Sequence, residues 1–160
     1  MTAIHETAYP RIRSNITENE LNELYTPTQE QLDFADINAR EPIQKLGILI
    51  LIKTFQRLGY FPLLNQVPQQ VIQHIARCTQ LEEAVANISK YEKVRSREKH
   101  LSMTRAFLEV KALKNDGEQI LNNAFVAACY TKDIIADIIN AGIEELVRQL
   151  HYKVTYWTFL

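Results

Sequence analysis

Apolar and polar positions alternate most informatively from Leu46 to Pro62, LGILILIKTFQRLGYFP. Gly47 to Ile52 carries no polar side chain, and Lys53, Gln56 and Arg57 then enter before Gly59. At about 100° per residue, Ile48, Leu51, Ile52, Phe55 and Leu58 share one broad face, while Lys45, Lys53, Gln56 and Arg57 share an arc on another. The pattern predicts a buried helix with one wet, basic edge. Glu41-Pro42 ahead of the run and Leu58-Gly59 behind it are a helix start and a helix stop, which favours helix over a short buried strand. A membrane span takes roughly 18 or more apolar residues. Lys45 and Lys53 bracket only seven.

The remaining segments read as helices gathered around this one. Thr17 with Glu20, and Thr28 with Gln31, are capping boxes. They open two helices whose apolar positions are Leu21, Leu24 and Tyr25, then Leu32, Phe34, Ala35 and Ile37. Helical spacing continues from about Pro68 to Thr79, with Val71, Ile72 and Ile75 inward, and in a shorter piece from Leu81 to Ile88. A further helix is expected from about Ser96 to Ala112. Beyond the turn signal Asn115-Asp116-Gly117, Ile120, Leu121, Ala124, Phe125 and Ala128 mark another. Thr131 is placed to cap the last, Lys132 to Leu150. Met1 to Ala8 is aperiodic, Tyr9-Pro10-Arg11-Ile12-Arg13 reads as an extended basic arm, and His151 to Leu160 alternates like a strand. The apolar ending predicts a chain truncated at its C-terminus.

Composition narrows the class. Of 160 residues, 46% are hydrophobic, enough for a core, and only four are glycine and five proline, which argues against a sandwich or barrel. The expectation is an all-α chain of roughly seven or eight helices. Net charge is −1, but it is unevenly spread. Thr17 to Glu41 holds seven acids against one base, and Lys90 to Lys111 holds seven bases against three acids. The chain turns polar and basic at Ser89, and a subdomain boundary is expected there. Two cysteines and no leader pattern suit a reducing cytoplasm.

Catalytic signatures are lacking: there is no phosphate-cradling glycine loop, nucleophile elbow or HExxH. His74 and Cys78 are spaced to share a metal, but no second pair matches them, and a core role is favoured. Asp133, Asp137 and Glu144 share a helix face, where acids near a helix start stabilise its dipole. The basic segment is the best candidate site, because cationic side chains neutralise phosphates and a basic helix can enter a major groove.

Thr7-Ala8-Tyr9-Pro10-Arg11, Leu24-Tyr25-Thr26-Pro27-Thr28, Leu46-Gly47 with Leu51 through Pro62, and Val71 through Arg77 together resemble the amino-terminal DNA-binding region of Tn-three-type replicative bacterial transposases. Arg97, His100, Arg105, Phe107 and Leu108 look like that family's basic helix, and Ile139-Asn140-Ala141 with Glu144-Glu145-Leu146 like a later one. The resemblance covers nearly the whole chain. Leu101 stands where relatives tend to carry arginine, and Glu109 where they tend to carry glycine. The resemblance implies two helix-turn-helix-like subdomains, 1–89 and 90–160, that recognise the terminal inverted repeats of a transposon. The catalytic RNase H-like domain of that family lies downstream, so neither catalysis nor a metal or other cofactor is expected of this chain. Arg95, Arg97, Lys99, His100, Arg105 and Lys111 are the expected DNA contacts of the second subdomain. Those of the first are Lys53, Arg57, Arg11 and Arg13. Expected partners are double-stranded DNA, the remainder of the transposase and a second copy within the full-length protein, in the bacterial cytoplasm at the nucleoid and not at a membrane. The competing reading is an interaction or dimerisation module, docking through its acidic first helices and apolar tail without touching DNA.

Overall fold

Two capping boxes begin the fold. The Glu20 backbone N–H donates to the Thr17 hydroxyl at 3.3 Å, and the Thr17 N–H donates to the Glu20 carboxylate at 2.9 Å. These bonds satisfy donors that a helix start otherwise leaves open, and they launch α1 (Glu18–Tyr25). Thr28 and Gln31 repeat the device for α2 (Gln29–Asn38). α3 (Pro42–Leu58) begins on its proline and stops at Gly59, whose φ of 81° is left-handed, a conformation in which a Cβ would be strained. Then come α4 (Gln69–Thr79), α5 (Glu82–Val85), α6 (Arg97–Phe107), α7 (Gly117–Cys129) and α8 (Ile135–Leu150), with 3-10 turns at Leu64–Gln66 and Ile88–Lys93. The computed structural model describes residues 12–110 and 117–150, and among these there is no strand. The chain is all-α.

Most of the Tyr9 to Arg13 arm, the Asn115-Asp116 turn and the strand-like tail from His151 lie outside the described residues, and with them Arg11 and Lys111. No helix among the described residues is long and apolar enough to cross a membrane.

α3 is the axis of a compact unit, Ile12–Glu109. α1, α2, α4, α5 and α6 all pack on it, and every residue from Leu46 to Phe55 is buried. Leu46, Ile48, Leu49, Ile50, Leu51 and Ile52 are each no more than 2% exposed. Full burial of such a side chain is worth about 1.5–3 kcal/mol. The wet edge expected along this helix is correspondingly narrow. α1 and α2 return over it: Lys45 pairs with Asp36 at 2.6 Å, and the Gln31 side-chain amide donates to Gln56 at 3.2 Å. Gln56 and Arg57 stay exposed, whereas Lys53 is only 6% exposed.

The expected boundary near Ser89 falls inside this unit. Ile88 and Tyr91, in the second 3-10 turn, and Leu101 of α6 are buried, and both elements pack on α3. The contact is intimate at Gly47, where a Cβ would meet the Tyr91 ring at 2.5 Å. The absent side chain is what lets the ring lie on the helix backbone. Glu92 then accepts from the Leu64 N–H at 2.6 Å, tying this turn to the earlier one.

A second unit contains α7 and α8, which pack on one another. Leu121, Ala128 and Ala136 are buried, and Gly142 leaves room for the Phe125 ring. α8 starts later than expected. The Thr131 hydroxyl donates to the Ala128 carbonyl at 3.3 Å, closing α7 where it was expected to cap α8.

Candidate nucleic-acid interface

The spacing along α6 sorts its side chains. His100, Leu101 and Thr104 recur at three- and four-residue intervals and are buried, while Glu98, Lys99, Ser102 and Ala106 are exposed. The preceding turn behaves likewise: Ile88 and Tyr91 point inward, and Lys90, Lys93 and Arg95 are exposed. Lys90, Lys93, Arg95 and Lys99 therefore form an outward cationic set about the start of α6. Two more cations are half-buried. The Arg105 guanidinium lies 5.2 Å from the centre of the Phe61 ring, a cation–π contact that fastens it beside the end of α3. Arg97 has its Nε sealed from solvent with no hydrogen bond.

The start of α6 is open. Ser96 occupies the cap position, yet its side chain makes no capping hydrogen bond, and its Oγ is buried without a partner. A helix start without a side-chain cap presents the positive end of the helix dipole, which favours anions, although the Arg97 N–H is already taken by the Val94 carbonyl at 3.0 Å. Glu98 in the first turn opposes this, while the Glu92 carboxylate is engaged by Leu64.

His100, expected on the DNA-facing side, is instead a core residue, 3% exposed. Its Nδ1 is 2.9 Å from the Tyr91 hydroxyl, and the two rings stack with centres 5.8 Å apart. Burial, with Lys99 adding to it, holds the imidazole below its ordinary 6.5. Burial likewise raises the Tyr91 phenol. The sequence carried a signal for this placement: His100 falls on the stripe of Leu101 and Thr104. Leu101 is 7% exposed, so the departure from the transposase pattern there lies on the inner face.

In the first half of the chain, Arg13 is exposed. Arg57 is exposed beside the Tyr25 hydroxyl, its charge opposing the rise that burial causes in that phenol. Lys53 is the correction among these candidates, since burial removes it from the surface a duplex would touch. His74 is buried, its Nε2 2.9 Å from the Thr26 hydroxyl and 3.5 Å from the Cys78 sulfur. It joins the end of α1 to α4, as a core histidine should. Among the described residues no three metal-ligating side chains gather.

No curated protein and no solved structure matches this chain. The model of one family, described as "Domain of unknown function (DUF4158)", matches residues 1–151, and the chain belongs to that family.

Proposed function

We propose that this chain is a DNA-binding module of a replicative transposase that recognises the terminal inverted repeats of its transposon, leaving strand chemistry to another part of the protein. One observation carries the reading: Lys90, Lys93, Arg95 and Lys99 are exposed together around the uncapped start of α6. Cations at a helix start suit phosphate, whose neutralisation releases counterions. Partly buried Arg97 and Arg105 border the face. The resemblance noted above supplies the identity of the DNA and a location at the nucleoid.

Affinity for a terminal-repeat duplex, followed by anisotropy against salt, tests this reading. Four phosphate contacts would give a logarithmic slope of about −3.6 for B-form DNA. Arg95→Ala with Lys99→Ala should lower its magnitude by about 1.8. An unchanged slope in the folded double variant would remove α6 from the interface. Val126, Tyr130, Ile134 and Ile135, which are 57–85% exposed, favour a second reading, a protein-docking module. A folded chain that fails to retard any duplex at low salt would select it.

A further inference from the structure

His74 and Cys78 stand one turn apart on α4, a spacing that brings helical side chains together, and the Cys78 sulfur lies 3.5 Å from the His74 Nε2. The imidazole does not turn freely. The Thr26 hydroxyl, just beyond the end of α1, meets the same nitrogen at 2.9 Å. His74 is buried, whereas Cys78 is a free, exposed thiol. A reachable sulfur, a base within hydrogen-bond distance and a third group that orients the base together make an activated nucleophile. Burial, with Arg77 adding to it and Glu18 opposing, holds the imidazole below its ordinary 6.5. At pH 7 it is therefore neutral and has a lone pair to receive a proton.

The same thiol lines a cavity of about 300 Å³ between α2, α3 and the end of α4, where Leu32 and Leu49 stand beside the Asp36–Lys45 ion pair. Small-molecule sites occupy about 300–1,000 Å³, so there is room beside Cys78 for a small adduct. Cys129, at the end of α7, is also free and exposed, but no hydrogen bond joins it to another described residue. We propose that Cys78 is a thiol–disulfide exchange site, with His74 as its base, that takes a low-molecular-weight disulfide at the cavity between α2, α3 and α4. The Cys78 thiol proton passes to His74 Nε2, and the sulfur attacks one sulfur of the incoming disulfide. The incoming S–S bond breaks as the new one forms, and the leaving thiolate takes the proton back from His74 and departs as a thiol. Cys78 is thereby oxidised to a mixed disulfide and the departing half is reduced. None of the cavity's lining residues belongs to α6, and the site stands independently of the DNA reading.

The test exposes the full chain to oxidised glutathione at pH 7 and follows mixed-disulfide formation at each cysteine by mass spectrometry of its peptides. A free thiol is only a few per cent ionised at that pH, so a base at the sulfur can speed exchange by up to about thirtyfold. Cys78 should react at least about tenfold faster than Cys129. His74→Gln, which keeps a polar group beside Thr26 but takes up no proton, should bring the Cys78 rate to within about twofold of that of Cys129. In the unaltered chain labelled at its histidines, the mixed disulfide should shift the His74 ring nitrogens in NMR and leave those of His100 in place. Comparable rates at the two cysteines would overturn the proposal, as would an undiminished Cys78 rate in folded His74→Gln or His74 signals that ignore the adduct. Should that variant fail to fold, the rate ratio and the His74 signals of the unaltered chain decide.

Discussion

At the scale of single residues, Gly47 and Tyr91 form the most constrained contact in the Ile12–Glu109 unit. The ring occupies the space of the absent side chain, while its hydroxyl meets His100 at 2.9 Å, so it can retreat from neither. Gly47→Ala should destabilise the fold by about 1–3 kcal/mol, the usual result of overfilling a packed core. Urea unfolding of the variant checks this. An unchanged midpoint would mean that the ring moves freely. The sequence offers a glycine inside a helix and a tyrosine 44 positions later, and nothing in either local pattern pairs them. His100 was more legible, because helical spacing set it with Leu101 and Thr104. Its basic neighbours in sequence pointed outward and drew it with them.

At the scale of elements, local chemistry was readable wherever the bond is local. Both capping boxes, the proline start of α3 and the glycine stop lie within a few residues of their partners. Edges set by distant packing were not readable. The basic arc of α3 looked wet because α1 and α2, which cover it, are remote in the pattern that defines it. α6 ends earlier than its apolar spacing suggested. Its backbone turns left-handed at Glu109, φ 54°, a region where a Cβ is strained by about 1–2 kcal/mol. Glu109→Gly should therefore raise stability by up to about 1 kcal/mol, seen as a higher thermal midpoint. A lowered midpoint would show that the Glu109 side chain has a role its exposed position does not reveal.

At the scale of the molecule, the buried titratable groups set a pH window. His74 and His100 are both held below 6.5 by burial. As pH falls through 6.5, the unfolded chain takes up protons that the folded one refuses, so stability declines toward the folded-state values. Tyr25 and Tyr91 are raised above 10.0. Above that pH the unfolded chain loses protons that the folded one keeps, and stability declines again. Urea midpoints measured from about pH 5 to 11 should trace a plateau with two shoulders. His100→Gln should lessen the acid one and leave the share due to His74, and an unaltered shoulder would remove His100 from its cause.

The uneven charge noted at the outset has a consequence for how this chain meets its surroundings. With exposed acids on α1 and α2 and exposed cations around the start of α6, the net charge of the Ile12–Glu109 unit describes neither patch, even though Phe34 of α2 stacks on Phe107 at the end of α6 with ring centres 4.3 Å apart. Near a polyanion the cationic patch is attracted and the acidic one repelled, so the unit is turned as it approaches. Orientation is then partly decided during approach.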